Sequence, residues 1–424
     1  MPEFINGFFL QQRQNKVEKP VNFSGGTVFF SILFFFWLLF AGLLCLQGYG
    51  LDTDAWLMAQ TAGRLRAGES YDPARSLGNP VWEFLLVFLQ PDYEFIISNG
   101  LNLILALLFL WRLNRLLPGI PMPGIWFLRT GICLLPVFTE AAGSSMELMS
   151  AWYLFLESLL AVRQNRQGLT FFLVLLLTFT RPEFFIFISA AAIKLRNRKL
   201  YYLIPVLTAL TAWVFWTLGK NPAPFGNLSE FFRFYAGRIW FLIRQAGLLL
   251  PVYLFLLYKG FHQTHQLLKW PGRLSTFFFI LCPFEWAYAF PAMLSGMMNL
   301  PAKAKNKRLL QALIAISTGS SLFFPLSGLP ALYFQRQKML HHFRQAEAYR
   351  PETPVLLLDG ATYLPTKSSL WERSHENRLF RKKNSLFWVA ERLQQSELDS
   401  FRTAGFRICR LGTGPGDSWL QELP

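Results

Sequence analysis

Uncharged apolar runs recur along most of the chain, separated by short polar or basic joints. The first, Thr27 to Gln47, is about as long as the roughly 20 residues a membrane-spanning helix needs, because in lipid every backbone amide must be bonded internally. Arg13, Lys16 and Lys19 precede it and no small-residue cleavage site follows, so it reads as an anchor and not as a removed signal. Further runs lie at Phe95 to Trp111, Ile125 to Phe138, Met146 to Val162, Leu169 to Ile193, Tyr201 to Leu218, Phe241 to Tyr258, Ser275 to Leu300 and Leu309 to Phe334. Val81 to Gln90 is too short to cross and is expected to dip in or lie along the interface. Two of the long runs are expected to fold back as hairpins, at Arg181-Pro182-Glu183 and near Pro283 to Tyr288, since proline breaks the helix ladder and a charge seeks water.

From Arg350 the pattern changes. "PVLLLDG" and "GFRICRLG" read as short strands and "SELDSFRTAG" as a helix capped by Ser396 and stopped at Gly405, which together make a small α/β unit. "GTGPGDSW" (Gly412 to Trp419) has no helix behind it and reads as a flexible terminus. No phosphate-binding glycine motif follows a strand, so no nucleotide-binding domain is expected. The expected organisation is an N-terminal cytoplasmic segment (1–26), a membrane domain (27–344) with a first outer loop at 48–80, and a small domain on the outer face (345–424). The fold class is an all-α polytopic membrane protein of about 9–11 membrane helices, some short or re-entrant, with a small C-terminal α/β domain.

Composition agrees with this pattern: 53% of residues are hydrophobic and only 16% charged, against about 25% charged in soluble proteins. The formal charge of +16 would suit nucleic acid, but the basic residues sit mostly at run ends and in the tail. Topology and anionic headgroups explain them more simply, and no nucleic-acid partner is expected. Four cysteines without paired spacing suggest neither disulfides nor a metal site, and His262, His265, His341 and His342 read as solvated or headgroup-contacting.

The basic clusters fix an expected topology. Arg112/Arg115, Arg163/Arg166, Lys194 to Lys199, Lys259 to Arg273 and Lys303 to Arg308 are placed inside by the positive-inside bias. One outer face then collects the Asp52/Asp54 loop, Glu140 to Glu147, Arg181/Glu183, the loop Gly219 to Arg238, Glu285 and the tail. If Val81 to Gln90 did cross, Arg112 and Arg115 would lie outside instead. Acids at a membrane boundary are by default candidates for function, although each has a plain structural reading. Asp54 would cap a helix over Ala55 to Ala67, Glu147 would favour a helix dipole, Arg181 and Glu183 would pair, and Trp82 would sit in an interfacial belt.

The order "DTDAWLMAQTAGRLRAGESYDP", "NPVWEFLL", "GSSMELMSAWYLFL", "TFTRPEFFIFISAA" resembles the GT-C superfamily of integral-membrane glycosyltransferases, nearest the branch of bacterial arabinofuranosyltransferases and mannosyltransferase-like enzymes. The likeness covers Leu51 to about Ala192 and thins afterwards. Two positions depart from the family pattern: Thr53 replaces the first member of an acid pair, and in "CPFEWAYAFP" Ala287 stands where an arginine is usual.

The resemblance implies a polyprenyl-phosphate-linked sugar donor, a hydroxyl acceptor on a cell-envelope glycan, lipid or protein, and inversion at the anomeric carbon. Asp54 is the expected general base, with Asp52 assisting. The two would also hold a divalent cation, Mg or Mn, if one is used. Arg181, backed by Lys220, Arg233 and Arg238, would meet the phosphate, Glu147 and Glu183 would orient the sugar or the arginine, and Trp56 and Trp82 would stack on the sugar ring. The expected location is a bacterial inner membrane with the site facing the periplasm or exterior. A lipid-linked-sugar flippase and a catalytically silent GT-C-like scaffold are the alternatives.

Overall fold

The computed structural model describes residues 24–51, 53–71, 79–89, 95–116, 122–181, 184, 228–281, 283, 285–298, 306–324, 327–348, 351–358, 371–373, 380–382, 386–390, 393–411 and 420–423. They are mostly helical. In chain order the helices are α1 (Ser24–Cys45), α2 (Thr53–Arg66), α3 (Pro80–Leu89), α4 (Phe95–Leu116), α5 (Met122–Cys133), α6 (Pro136–Gly143), α7 (Leu148–Arg163) and α8 (Gln167–Thr180). After the break come α9 (Leu228–Ala246), α10 (Leu250–Phe261), α11 (Gln266–Leu281), α12 (Trp286–Met298), α13 (Asn306–Phe323) and α14 (Leu329–Ala348).

Among the described residues two helices are long and apolar enough to cross a membrane: α4, and the continuous Tyr235–Phe261 formed by the rest of α9, a 3-10 turn and α10. The bent pair α5–α6, kinked by 73° ahead of Pro136, makes up to three. Nine to eleven spans are therefore more than the described residues show. Solvent-facing Phe35, Phe36, Leu39 and Leu43 on α1, Ile97, Ile104 and Trp111 on α4, and Leu254 and Tyr258 on α10 give these helices an apolar exterior. Such a surface suits lipid, which imposes no cost on an exposed phenylalanine.

Several expected breaks are where the sequence places them. The short run Val81 to Gln90 falls on the ten-residue α3, Pro80–Leu89, with Gln90 outside the described residues. The run from Leu169 stops at Thr180, with Arg181 extended (φ −152°, ψ 97°). The run from Ser275 is a hairpin of α11 and α12. Leu309 to Phe334, expected as one run, is two helices parted after Phe323, ahead of Pro325. Tyr201 to Leu218 lies outside the described residues.

Two ends of the bundle can be told apart by their contacts. At one, Arg163 Nη1 donates to the Arg115 and Leu116 carbonyls (2.9 and 3.1 Å), and Arg273 Nε donates to Phe261 O (3.2 Å). His265, between α10 and α11, has its pKa lowered by partial burial and by the Arg163 charge. Three of the expected inner clusters thus share this basic end. From it, α8 returns towards Arg181, while α4 and α7 run away from the opposite, loop end.

Helices α10, α11 and α12 pack backbone to backbone. A Cβ on Gly260 would lie 2.1 Å from Ala292 O, one on Gly296 2.1 Å from Leu256 O, and one on Gly272 2.4 Å from Gly260 O. Small residues permit this approach, the usual way apolar helices associate in lipid. Buried Gln263 closes the α10–α11 turn, donating to Ser295 O (2.6 Å) and accepting from the Thr264 and His265 amides.

The tail is a six-stranded mixed sheet, ordered β2-β3-β4-β1-β5-β6. The strands are β1 (Val355–Leu358), β2 (Trp371–Arg373), β3 (Phe380–Lys382), β4 (Phe387–Ala390), β5 (Arg407–Leu411) and β6 (Leu420–Glu422). Central β1 is parallel to both β4 and β5, while β2, β3 and β6 add antiparallel edges. Period-two alternation puts Leu356, Ala390 and Ile408 against α15 (Gln395–Thr403), and Val355, Leu357, Phe387, Val389 and Cys409 in one buried cluster with the helices. Gln394, not Ser396, caps α15: its amide donates to Glu397 Oε2 (2.6 Å). Gly405 ends it at φ +83°. Gly412 to Trp419, expected as flexible, lie outside the described residues; after them Leu420–Glu422 form β6.

Candidate functional site

At the loop end, four separate stretches of sequence are tied together by side chains bonding to backbone. The α1 exit (Gln47–Leu51) and the turn Gly143–Glu147 meet directly, Ser145 N–H donating to Tyr49 O (2.6 Å). Helix α4 stitches both: Asn99 Nδ2 donates to Cys45 O and Gly48 O (3.0 and 2.8 Å), and Asn102 Nδ2 donates to Ser144 O and Met146 O (both 2.6 Å). Ser145 Oγ donates to Asn99 Oδ1 and is hydrogen-bonded to Ser98 Oγ (both 2.7 Å). Trp82 of α3 donates its indole N–H to Ser145 O (2.7 Å).

Arg336 of α14 completes this knot. It is fully buried and donates to Gly143 O (2.7 Å) and Gly48 O (2.8 Å), with Glu140 Oε2 at 3.7 Å from Nη1. Glu140 Oε1 accepts the Leu51 amide (2.8 Å). Gly50 (φ +143°) has no room for a side chain, since a Cβ would sit 2.9 Å from Ser144 Cβ. Turn carbonyls that neither helix can satisfy are thus met by amides and a guanidinium, as buried backbone requires.

Beside the knot lies an ion pair. Arg181 Nε is 2.5 Å from Glu147 Oε1, with the two side chains 2% and 0% exposed. The guanidinium also lies over the Tyr288 ring, 5.0 Å from its centroid. The reasons are local. α8 ends at Thr180 with Arg181 extended, as the sequence Arg181-Pro182 favours, Glu147 stands at the N-cap of α7 without capping it, and Tyr288 lies in the first turn of α12, which starts at Trp286. On the same helices, Trp152 stacks on Phe290 (3.9 Å) and Phe138 on Trp152 (6.1 Å), an aromatic stack joining α6, α7 and α12.

Glu147 and Arg181 are therefore brought together, so Arg181 pairs with Glu147 where the sequence reading offered Glu183; Glu183 itself lies outside the described residues. Trp82 is enclosed and holds the Ser145 carbonyl; its ring offers no open face to a sugar. Helix α2 starts at Thr53, which puts Asp54 in the first turn and not at the cap. The side chains of Asp54, Trp56 and Arg233, and all of Asp52 and Lys220, lie outside the described residues. Arg238 is half-buried on α9, one turn from Tyr235, whose hydroxyl donates to Ile280 O at the end of α11. Ala287 is buried, and the guanidinium that reaches its neighbour Tyr288 comes from Arg181.

Sequence reasoning missed Arg336, Asn99, Asn102 and Glu83. Glu83 is a buried carboxylate on α3 that accepts from the Tyr71 hydroxyl. The available signal was a polar side chain inside an apolar run. Among the described residues no group of three metal-ligating side chains occurs. Comparisons with family models, curated proteins and solved structures return no match.

Proposed function

We propose that the chain is a multi-pass membrane glycosyltransferase of GT-C type that moves a sugar from a polyprenyl phosphate to a hydroxyl acceptor at the loop end of the bundle. The observation that carries this reading is the buried Glu147–Arg181 pair over Tyr288, joined through Ser145 to the start of the first loop. Burying two charges costs several kcal/mol per ion before their attraction offsets it. A chain that needed only a stable bundle could have used two leucines there.

The chemistry follows from the residue types. As the glycosidic bond to phosphate breaks, negative charge grows on the leaving oxygen and needs a fixed cation. Arg181 is held by Glu147 along one edge and Tyr288 on one face, which presets its direction. It takes the part left vacant by Ala287, with Arg238, Arg233 and Lys220 as further cations. Asp54, in the first turn of α2, takes the proton of the attacking hydroxyl, a role worth about 10²- to 10⁴-fold. Asp52 assists and, with Asp54, would hold Mg or Mn if a cation is used. Trp82 positions the Ser145 turn, and Trp56 remains the candidate for sugar stacking. The loop end is the outer face in this reading, in a bacterial inner membrane.

The test is transfer of radiolabelled sugar from a panel of polyprenyl-phosphate sugars by purified chain in lipid, with a crude envelope acceptor. Transfer by the native chain, abolished in Asp54→Asn with donor binding kept, is the expected result. Donor binding without transfer from any donor would sink the enzyme reading and leave a flippase or a silent scaffold.

A further inference from the structure

Glu140 stands where a carboxylate is out of place. It lies in the last turn of α6, at the negative end of the helix dipole, and its side chain is only 16% exposed. Two contacts explain why it is there. Oε1 accepts the Leu51 amide (2.8 Å). Oε2 lies 3.7 Å from Arg336 Nη1, near enough to balance the guanidinium charge, and takes no hydrogen bond. The directional hold of Glu140 is therefore on Leu51, which directly precedes Asp52. Upstream, the α1 exit is held carbonyl by carbonyl: Cys45 and Gly48 by Asn99, Gly48 also by Arg336, and Tyr49 by the Ser145 amide. Downstream, α2 begins at Thr53 with Asp54 as its second residue. The join is tight. A Cβ on Gly50 would lie 2.9 Å from Ser144 Cβ, 3.3 Å from Glu140 Oε1 and 3.6 Å from Ala55 Cβ, so the carboxylate and the first turn of α2 border the same point. Gly50 holds φ +143° there, a conformation that a side chain would strain.

We propose that Glu140 is a positioning residue for the first loop: it fixes the Leu51 amide, and through it the start of α2, so that Asp54 keeps its place relative to the loop end. The catalytic consequence rests on the glycosyltransferase reading; the hold on the loop does not. A role confined to neutralising Arg336 would need the charge and not the Leu51 bond, and the two can be separated. Glutamine keeps an oxygen for the Leu51 amide and loses the charge. Alanine loses both.

The experiment compares Glu140→Gln and Glu140→Ala, as purified full-length chains in lipid, by amide hydrogen exchange and by the sugar-transfer assay. Both variants strand the Arg336 charge, so their melting temperatures should fall alike. Leu51 exchange should rise about tenfold or more in Glu140→Ala, the lower end for losing a bond to a charged group, and should stay within about twofold of native in Glu140→Gln. Transfer should split the same way. In Glu140→Ala kcat should be about tenfold or more below that of Glu140→Gln at the same donor KM, since a misplacement of about 1 Å can cost on the order of 10²-fold. Equal Leu51 exchange in the two variants, or equal kcat in an active chain, would overturn the proposal and leave Glu140 as the counter-ion of Arg336. A raised KM at unchanged kcat would also overturn it, making Glu140 a substrate contact. If the native chain transfers no sugar, the glycosyltransferase reading fails and Leu51 exchange alone decides the hold on the loop. Should Glu140→Ala misfold, Gly50→Ala crowds the same oxygen with both charges kept; it must raise Leu51 exchange above native, and native exchange in that variant would overturn the proposal.

Discussion

The two ends of the bundle use arginine in opposite ways. At the basic end Arg115, Arg163 and Arg273 lie near the surface, and Arg163 and Arg273 donate to the last carbonyls of α4 and α10. They close helix C-termini, where orphan carbonyls and the negative end of the dipole welcome a cation. At the loop end Arg181 and Arg336 are buried and each is fixed by partners distant in sequence. The first kind of arginine orients a chain in a membrane at little cost. The second is expensive, and removing one of its partners strands a charge. The lesson is that exposed arginines mark one end of the bundle, whereas buried ones mark the candidate chemistry at the other.

The sharpest way to break this contrast is to remove one member of the buried pair. Glu147→Gln or Arg181→Met should each destabilise the chain by roughly 3–5 kcal/mol, the cost of an uncompensated buried ion. The exposed Arg115→Gln should stay within about 0.5 kcal/mol. The double variant Glu147→Gln/Arg181→Met should recover much of the stability, because both charges are gone, but none of the proposed activity. Chemical denaturation in detergent, set beside the transfer assay, separates structural from chemical loss. Equal costs at Arg115 and Arg181 would erase the distinction between the two ends.

The glycine contacts of α10, α11 and α12 give the next effect. Gly260→Ala puts a Cβ against the Ala292 carbonyl, and a backbone atom cannot swing aside as a side-chain tip can. Overpacking of this kind costs about 1–3 kcal/mol. Gly168→Ala, with nothing within 4 Å of the new Cβ, should be neutral or slightly stabilising, since alanine is the better helix former. Melting temperatures of the two variants test the packing directly.

An effect of similar size but local extent is expected in the knot. Asn102→Ala removes one amide that serves two buried carbonyls, Ser144 O and Met146 O, and unmet buried acceptors cost about 1–3 kcal/mol. Its readout should be local: faster amide exchange at residues 144–147, with the basic end unchanged. Uniform exchange along the chain would mean that Asn102 does not act on that turn.

These residues also mark how far the sequence could be read. The break at Arg181-Pro182, the shortness of α3, the α11–α12 hairpin and the central strands β1 and β5 follow from proline, run length and alternation, all local signals. Glu147 and Glu183 were both legible as groups that could orient Arg181, but the burial of the Glu147–Arg181 pair was not, because it depends on α7 and α8 folding back side by side. Asn99 and Asn102 were hidden because two amides hardly lower the hydropathy of a run as apolar as Phe95 to Trp111. Arg336 was hidden for the reverse reason: among Lys338, His341, His342 and Arg344 it looked like one more headgroup contact. Only the helix register of α14 separates it from them. The proposed catalytic base, Asp54, comes from the resemblance alone, and the Asp54→Asn assay is its test.

The least effect belongs to the tail, where an exposed pair is compared with the buried one. Arg407 Nη2 donates to Glu422 Oε2 (2.8 Å), tying β5 to edge strand β6. That bond, together with the positive charge, lowers the Glu422 pKa. A carboxyl with a depressed folded-state pKa adds stability above its unfolded value, and the contribution is lost as pH falls through the folded one. The β6 amides should therefore gain exchange on acidification below about pH 4.3, the ordinary glutamate value. Glu422→Gln should remove that pH step while leaving the melting temperature almost unchanged, as exposed pairs contribute little. If Glu422→Gln instead unfolded the sheet, surface and buried ion pairs in this chain would differ less than their burial implies. The arginines of the basic end would then have to be counted as structural too.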